Sequence, residues 1–163
     1  MPRLALFDTL TGLPNRVLIK DRIDRAMSVL RRDPARTCLL LFIDLDDFKA
    51  VNDSLGHKAG DVVLQQTAQR ITGAVRESDT VGRWGGDEFI VFLENVDQGR
   101  VNDLVRKIRQ VVELPTAYGD RQINVGASIG LAFAPDDGGT LDDLVRAADG
   151  RMYSDKNARN AAR

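Results

Sequence analysis

The sequence predicts an α/β (α+β) domain, a central mixed sheet with flanking helices. Three observations carry that reading. Arg36 to Ile43 is a near-continuous apolar run, which requires both faces of its strand to be covered. Amphipathic stretches of helical period stand on either side of it. Two short strand candidates, Thr80 to Trp84 and Phe89 to Leu93, meet across Gly85-Gly86 as a β-hairpin.

The chain opens with a loop, Asp8-Thr9-Leu10-Thr11-Gly12-Leu13-Pro14-Asn15-Arg16, in which Pro14 or Asn15 suits the first turn of a helix. Ile19, Ile23, Ala26, Met27 and Leu30 mark the buried face of that helix, and Asp33-Pro34 ends it. The Arg36 to Ile43 strand is read as central. From Val51 to Asp61 the chain is a polar connection flanked by short helical patches. Leu64, Ala68, Ile71 and Val75 describe a helix from about Ala59 to Arg76 that leads into the hairpin. Val101, Leu104, Val105, Ile108, Val111 and Val112 form a further helical stripe, closed by Pro115. Gln122 to Phe133 is strand material and Pro135 to Gly139 a turn. Thr140 caps the last helix, whose stripe of Leu141, Leu144, Val145, Ala148 and Met152 runs toward Lys156. The order helix, strand, helix, hairpin, helix, strand pair, helix fits a split βαβ, ferredoxin-like core of the kind polymerase palms use.

Composition narrows the function classes. At 163 residues, 43% apolar and 29% charged, the chain fits one globular domain, 1–163. With 23 basic and 24 acidic residues the net charge is −1, which argues against a general nucleic-acid or membrane-surface binder. The single Cys38 lies in an apolar run, so an intramolecular disulfide and a cysteine metal cluster are excluded, and a reducing, cytosolic compartment is expected. No apolar run approaches the length of a membrane span.

Acidic residues gather where a sheet would present them. Asp44 ends the apolar strand, where a rigid sheet fixes a carboxylate that the following loop leaves accessible to a cation. Asp87 and Glu88 sit at the mouth of the hairpin, beside two glycines expected to supply positive φ and to bare the backbone to a phosphate. If the strand ending at Asp44 lies beside this hairpin, Asp44 and Asp87 converge into a magnesium site. Asp46 and Asp47 read equally as helix-initiating residues. Asn52 and Asp61 carry groups that suit a purine edge, although Asp61 also suits a helix N-terminus. Arg76 and Asp79, three apart, make either a local ion pair or a ligand fork. His57, the only histidine, has no nucleophile to serve and reads as a loop or packing residue.

Gly85-Gly86-Asp87-Glu88-Phe89, with Asp8 to Arg16, Phe42 to Asp53 and Gly56 to Asp61, closely resembles the GGDEF domain of diguanylate cyclases over nearly the whole chain. The likeness implies condensation of two GTP molecules into cyclic di-GMP with release of two pyrophosphates. Carried over by position, Asp44 and Asp87 would ligate Mg2+ (or Mn2+) with the carbonyl of Leu45. Glu88 would hold a second metal or help to deprotonate the attacking 3′-hydroxyl. Asn52 and Asp61 would bind guanine. Lys49, the backbone around Asp47 and Phe48, and Lys156 would meet the β and γ phosphates, with Gly85 and Gly86 letting the triphosphate lie close. Arg76 and Asp79, with Arg83 as a helper, would form an inhibitory site for the product.

The resemblance also implies a homodimer, each copy holding one GTP, and an upstream sensor domain in the full-length protein. Tyr153-Ser154-Asp155-Lys156 fits the family's last motif, but Asn157-Ala158-Arg159-Asn160 lacks its glycine and brings the arginine one position early, leaving Arg159 open as a phosphate contact. The alternative is a catalytically weak or inactive module that binds GTP or cyclic di-GMP. A class III-type purine nucleotide cyclase would explain the metal acids but neither the Arg76 to Asp79 element nor the guanine pair.

Overall fold

A computed structural model describes residues 5–33 and 35–162. The elements are α1 (Arg16–Arg32), β1 (Cys38–Asp46), α2 (Phe48–Leu55), α3 (His57–Ala74), β2 (Thr80–Arg83), β3 (Glu88–Leu93), α4 (Val101–Val112), β4 (Thr116–Tyr118), β5 (Arg121–Ile123), β6 (Gly126–Ala134) and α5 (Leu141–Ala161). The caps follow local chemistry. The Asn15 side chain accepts from the Leu18 amide to start α1, and the Thr140 hydroxyl accepts from Asp143 N to start α5. Helix α1 ends at Arg32 with Asp33 as its cap; Pro34 lies outside the described residues.

The sheet has the order β2-β3-β1-β6. Strands β1 and β2 run the same way with β3 between them, which is the split βαβ arrangement expected. Every pairing is antiparallel, so the expected mixed sheet is corrected. The cause is topological: each helical crossover skips one strand position, and an antiparallel neighbour fills the gap.

Alternate residues of β1 feed two cores. Leu39, Leu41, Ile43 and Leu45 pack with residues of α3 and α4, whereas Cys38, Leu40 and Phe42 pack with residues of α1 and α5. The unbroken apolar run therefore does report cover on both faces. Helix α5 crosses β6 at Gly130, where a Cβ would stand 1.9 Å from the Ala148 carbonyl oxygen. Sequence reading ended β1 near Asp44 and missed the small β4–β5 hairpin. Among the described residues, no helix is long and apolar enough to cross a membrane.

Candidate functional site

Strand register builds the acidic centre. Asp44 and Glu88 are opposite one another across β1 and β3, and the Leu45 amide donates to the Asp87 carbonyl at 3.2 Å. The hairpin thus carries Asp87 and Glu88 to the end of β1 that bears Asp44. Burial, then the charge of Asp44, raises the Asp87 carboxyl above its ordinary value. Burial also raises Glu88, reinforced by Asp44, Asp87 and Asp149, while Arg16 opposes the rise. Asp44 is buried and ion-paired with the Lys156 ammonium, which reaches it from α5. Burial would lower the pKa of Lys156, but its hydrogen bond to Asp44 and the surrounding acids raise it.

Glycine at 85 has a different cause from the one expected. Neither Gly85 nor Gly86 adopts positive φ. A Cβ at 85 would instead lie 2.1 Å from Glu88 Oε1, so the residue is small because the carboxylate folds over it. The hairpin is closed by Trp84 N and Gly85 N, both donating to the Glu88 carbonyl at 2.8 and 3.3 Å.

The donor set fits a divalent cation. Among the described residues, no three His, Cys, Asp or Glu side chains converge as a complete metal cage. Magnesium does not need one: it takes one or two carboxylates and leaves other positions to water and substrate phosphates. Asp44, Asp87 and Glu88 offer hard oxygen donors with uncompensated charge, since the one ammonium bonded to them is that of Lys156 on Asp44.

A second cluster forms between α2 and α3, which share Gly56, at φ 92°, as their common cap. A Cβ at Gly60 would come 1.9 Å from Asn52 Oδ1 and 3.1 Å from Phe48 Cζ, so the amide and the ring both lie over residue 60, next to the exposed Asp61. Asp61 falls beyond the first turn of α3 and therefore does not serve as the helix-initiating acid. Asp47 takes the N-cap position of α2 at φ 60°, and Lys49, the second residue of that helix, is exposed. Exposed His57 opens α3.

Arg76 and Asp79 do come together. Asp79 is buried; its Oδ2 accepts from Arg76 N at 2.8 Å, and its Oδ1 accepts from Arg76 Nη2 at 3.2 Å. The guanidinium also donates to the Glu94 carbonyl. Both residues line a cleft of about 610 Å³ that includes Arg100 and Lys107. Arg83 is not part of it: β2 separates them, and Arg83 instead donates to both carboxylate oxygens of Asp8 at 3.2 Å and to the carbonyls of Gly85 and Gly86. The expected helper of the product site is therefore a brace of the signature turn.

Arg159 is committed elsewhere as well. Its Nη2 donates to Glu113 Oε1 at 2.6 Å and its Nε to Asp46 Oδ2 at 3.3 Å, while Ser128 Oγ donates to Asp46 Oδ1 at 2.6 Å. This network ties α5 to β1, β6 and the end of α4. It also explains why β1 runs on to Asp46, which is a strand residue and not a helix-initiating one. Sequence reading missed it because its members lie up to 113 positions apart. Arg16 was missed likewise: its Nε donates to the Trp84 carbonyl, 68 positions away.

Comparison with known proteins points to one family. The family "Diguanylate cyclase, GGDEF domain" matches residues 5–162. The bifunctional diguanylate cyclase/cyclic di-GMP phosphodiesterase MucR of Pseudomonas aeruginosa is 42% identical over 155 residues, covering 95% of this chain and 22% of that protein. The chain thus spans about a fifth of such relatives' length. A structure of the GGDEF domain of TpbB from the same organism superposes with a TM-score of 0.88 at 38% identity, covering 93% of this chain and 89% of that one. The GGDEF domain of DgcB from Caulobacter crescentus, in complex with c-di-GMP, gives a TM-score of 0.85 at 28% identity, covering 97% and 94%. With one family spanning almost all of its described residues and the signature acids gathered at one sheet edge, the chain belongs to the GGDEF domain family.

Proposed function

We propose that the chain is a diguanylate cyclase that joins two GTP molecules into cyclic di-GMP, each copy of a homodimer presenting one GTP to the other. The observation that carries this reading is the register that sets Asp44 opposite Glu88 and beside Asp87, close enough for the charge of Asp44 to raise both carboxyls. A Mg2+ or Mn2+ ion held there would acidify the attacking hydroxyl and neutralise charge on the α-phosphate.

The side chains divide the remaining work. Asp44, Asp87 and the Leu45 carbonyl hold the cation site, and Glu88 receives the proton of the 3′-hydroxyl. The bond from O3′ to the α-phosphorus forms as the bond to pyrophosphate breaks; repeating the step with the roles exchanged closes the ring. Asn52 and Asp61 hold guanine, with Phe48 and Gly60 shaping the floor beneath it. Lys49 and Lys156 would meet the β and γ phosphates, and the Lys156 ion pair with Asp44 would have to open for Asp44 to hold a cation. No covalent nucleophile is needed.

The cleft at Arg76 and Asp79 is assigned to product-mediated inhibition, its guanidinium gripping phosphate and guanine bidentately. The reading assigns the reaction to the cytosol, under an upstream sensor domain. Incubating the protein with GTP and magnesium, and separating the nucleotides by chromatography, tests it. Cyclic di-GMP from the wild type and none from Asp44→Asn supports the cyclase. Intact GTP bound by both proteins would identify a binding module.

A further inference from the structure

Arg16 opens α1, and it grips a single residue of the signature turn twice. Its Nε donates to the Trp84 carbonyl at 2.6 Å, and its guanidinium carbon lies 4.3 Å from the centre of the Trp84 ring. The hydrogen bond orients a peptide plane, and the stack holds the ring that leads into it. Arg83 meanwhile donates to the carbonyls of Gly85 and Gly86. The carbonyls of residues 84, 85 and 86 are therefore all drawn to arginines.

A trans peptide sets its amide opposite its carbonyl. Turning the carbonyls of Gly85 and Gly86 toward Arg83 turns the amides of Gly86 and Asp87 away from it. Successive amides presented in this way form an anion-accepting edge. Arg83 sits on β2 and moves with the hairpin, whereas Arg16 belongs to α1, whose start is fixed independently by the Asn15 cap. Arg83 is itself anchored to Asp8 of the N-terminal loop, and Arg16 adds the tie that runs from the Trp84 carbonyl and ring to α1.

We propose that Arg16 is a positioning residue that locks the Trp84-Gly85-Gly86 turn so that the amides of Gly86 and Asp87 face a nucleotide triphosphate. The inference rests on the GTP-binding part of the proposed function and not on turnover. The test uses the whole chain as wild type, Arg16→Ala and Arg16→Lys. Trp84 is the only tryptophan, so its emission reports this turn alone. Acrylamide quenching of Trp84 should rise in Arg16→Ala and return most of the way in Arg16→Lys, which restores a cation over the ring. Affinity for magnesium-GTP should fall about tenfold in Arg16→Ala, the loss expected when a phosphate-holding edge is misplaced. Affinity for guanosine, which lacks phosphates, should stay unchanged.

Unchanged quenching, an unchanged affinity for GTP, or equal losses for GTP and guanosine would each overturn the proposal. Should Arg16→Ala not fold, Arg16→Gln carries the test: it has no cation to stack on the Trp84 ring, and a loss for magnesium-GTP that exceeds any loss for guanosine supports the proposal, whereas equal losses overturn it. A wild type that binds GTP without making cyclic di-GMP sinks the cyclase reading and leaves this test intact.

Discussion

Asp87 is held where the fold gains nothing from it. Its carboxyl is raised from the ordinary 3.8 by burial and by Asp44, so the folded state binds its proton more tightly than the unfolded chain does. The sign follows: this residue's contribution is fully present below pH 3.8 and is lost as pH rises through the folded value. At neutral pH, Asp87→Asn should therefore raise the melting temperature by about 2–4 °C, the equivalent of roughly 1 kcal/mol in a domain of this size. It should also cut turnover by on the order of 10²-fold or more, as removal of a central electrostatic group does. Thermal melts at pH 4 and pH 7 read the first effect, which should shrink at the lower pH. A variant less stable at pH 7 would contradict this account of the acidic centre. Gly60 makes a separable case. In Gly60→Ala the new Cβ displaces the Asn52 amide, a side chain free to swing, so the melting temperature should hold while KM for GTP rises about tenfold, the worth of one net hydrogen bond. Steady-state kinetics over a range of GTP concentrations checks it.

At the scale of elements, α5 governs the site because it delivers Lys156 to Asp44 and Arg159 to Asp46. Its seat on β6 is backbone against backbone at Gly130, where a Cβ would meet Ala148 O, Met152 N and Met152 Cα, none of which a rotamer change can move. Gly130→Ala should cost about 2–3 kcal/mol in a denaturant titration. An unchanged midpoint would contradict the packing of α5. The elements themselves were largely legible in the sequence, since Asn15, Thr140 and the apolar stripes mark helices through local chemistry. Sheet direction was not, because hydrophobic pattern records which faces are covered and not which way neighbours run. The β4 and β5 strands escaped because each is three residues long, with Ala117, Arg121 and Gln122 exposed. The end of β1 was misjudged because Asp46 is satisfied by Ser128 and Arg159, partners that sequence spacing cannot show.

At the scale of the whole molecule, the site was legible where it is written in short motifs and illegible where it depends on long-range arginines. Asp44, Asp87, Glu88, Asn52 and Asp61 were proposed from motif and position, and the structure sets Asp44 opposite Glu88 and Asn52 over Gly60. Arg83 was assigned to the wrong end of β2, and Arg16 was not found, because an arginine's target lies wherever the fold carries its long side chain. The chain also carries one acidic centre and one candidate guanine site, whereas the product contains two guanines joined by two equivalent bonds. Under the proposed function a single copy would not complete it, and two copies would meet with their sites facing. The direct measurement is the initial rate of cyclic di-GMP formation from GTP and magnesium over a series of protein concentrations. The rate should climb as the square of protein concentration while copies are mostly apart, and linearly once they are paired. A rate strictly proportional to concentration down to the most dilute sample, or GTP left intact throughout, would contradict it.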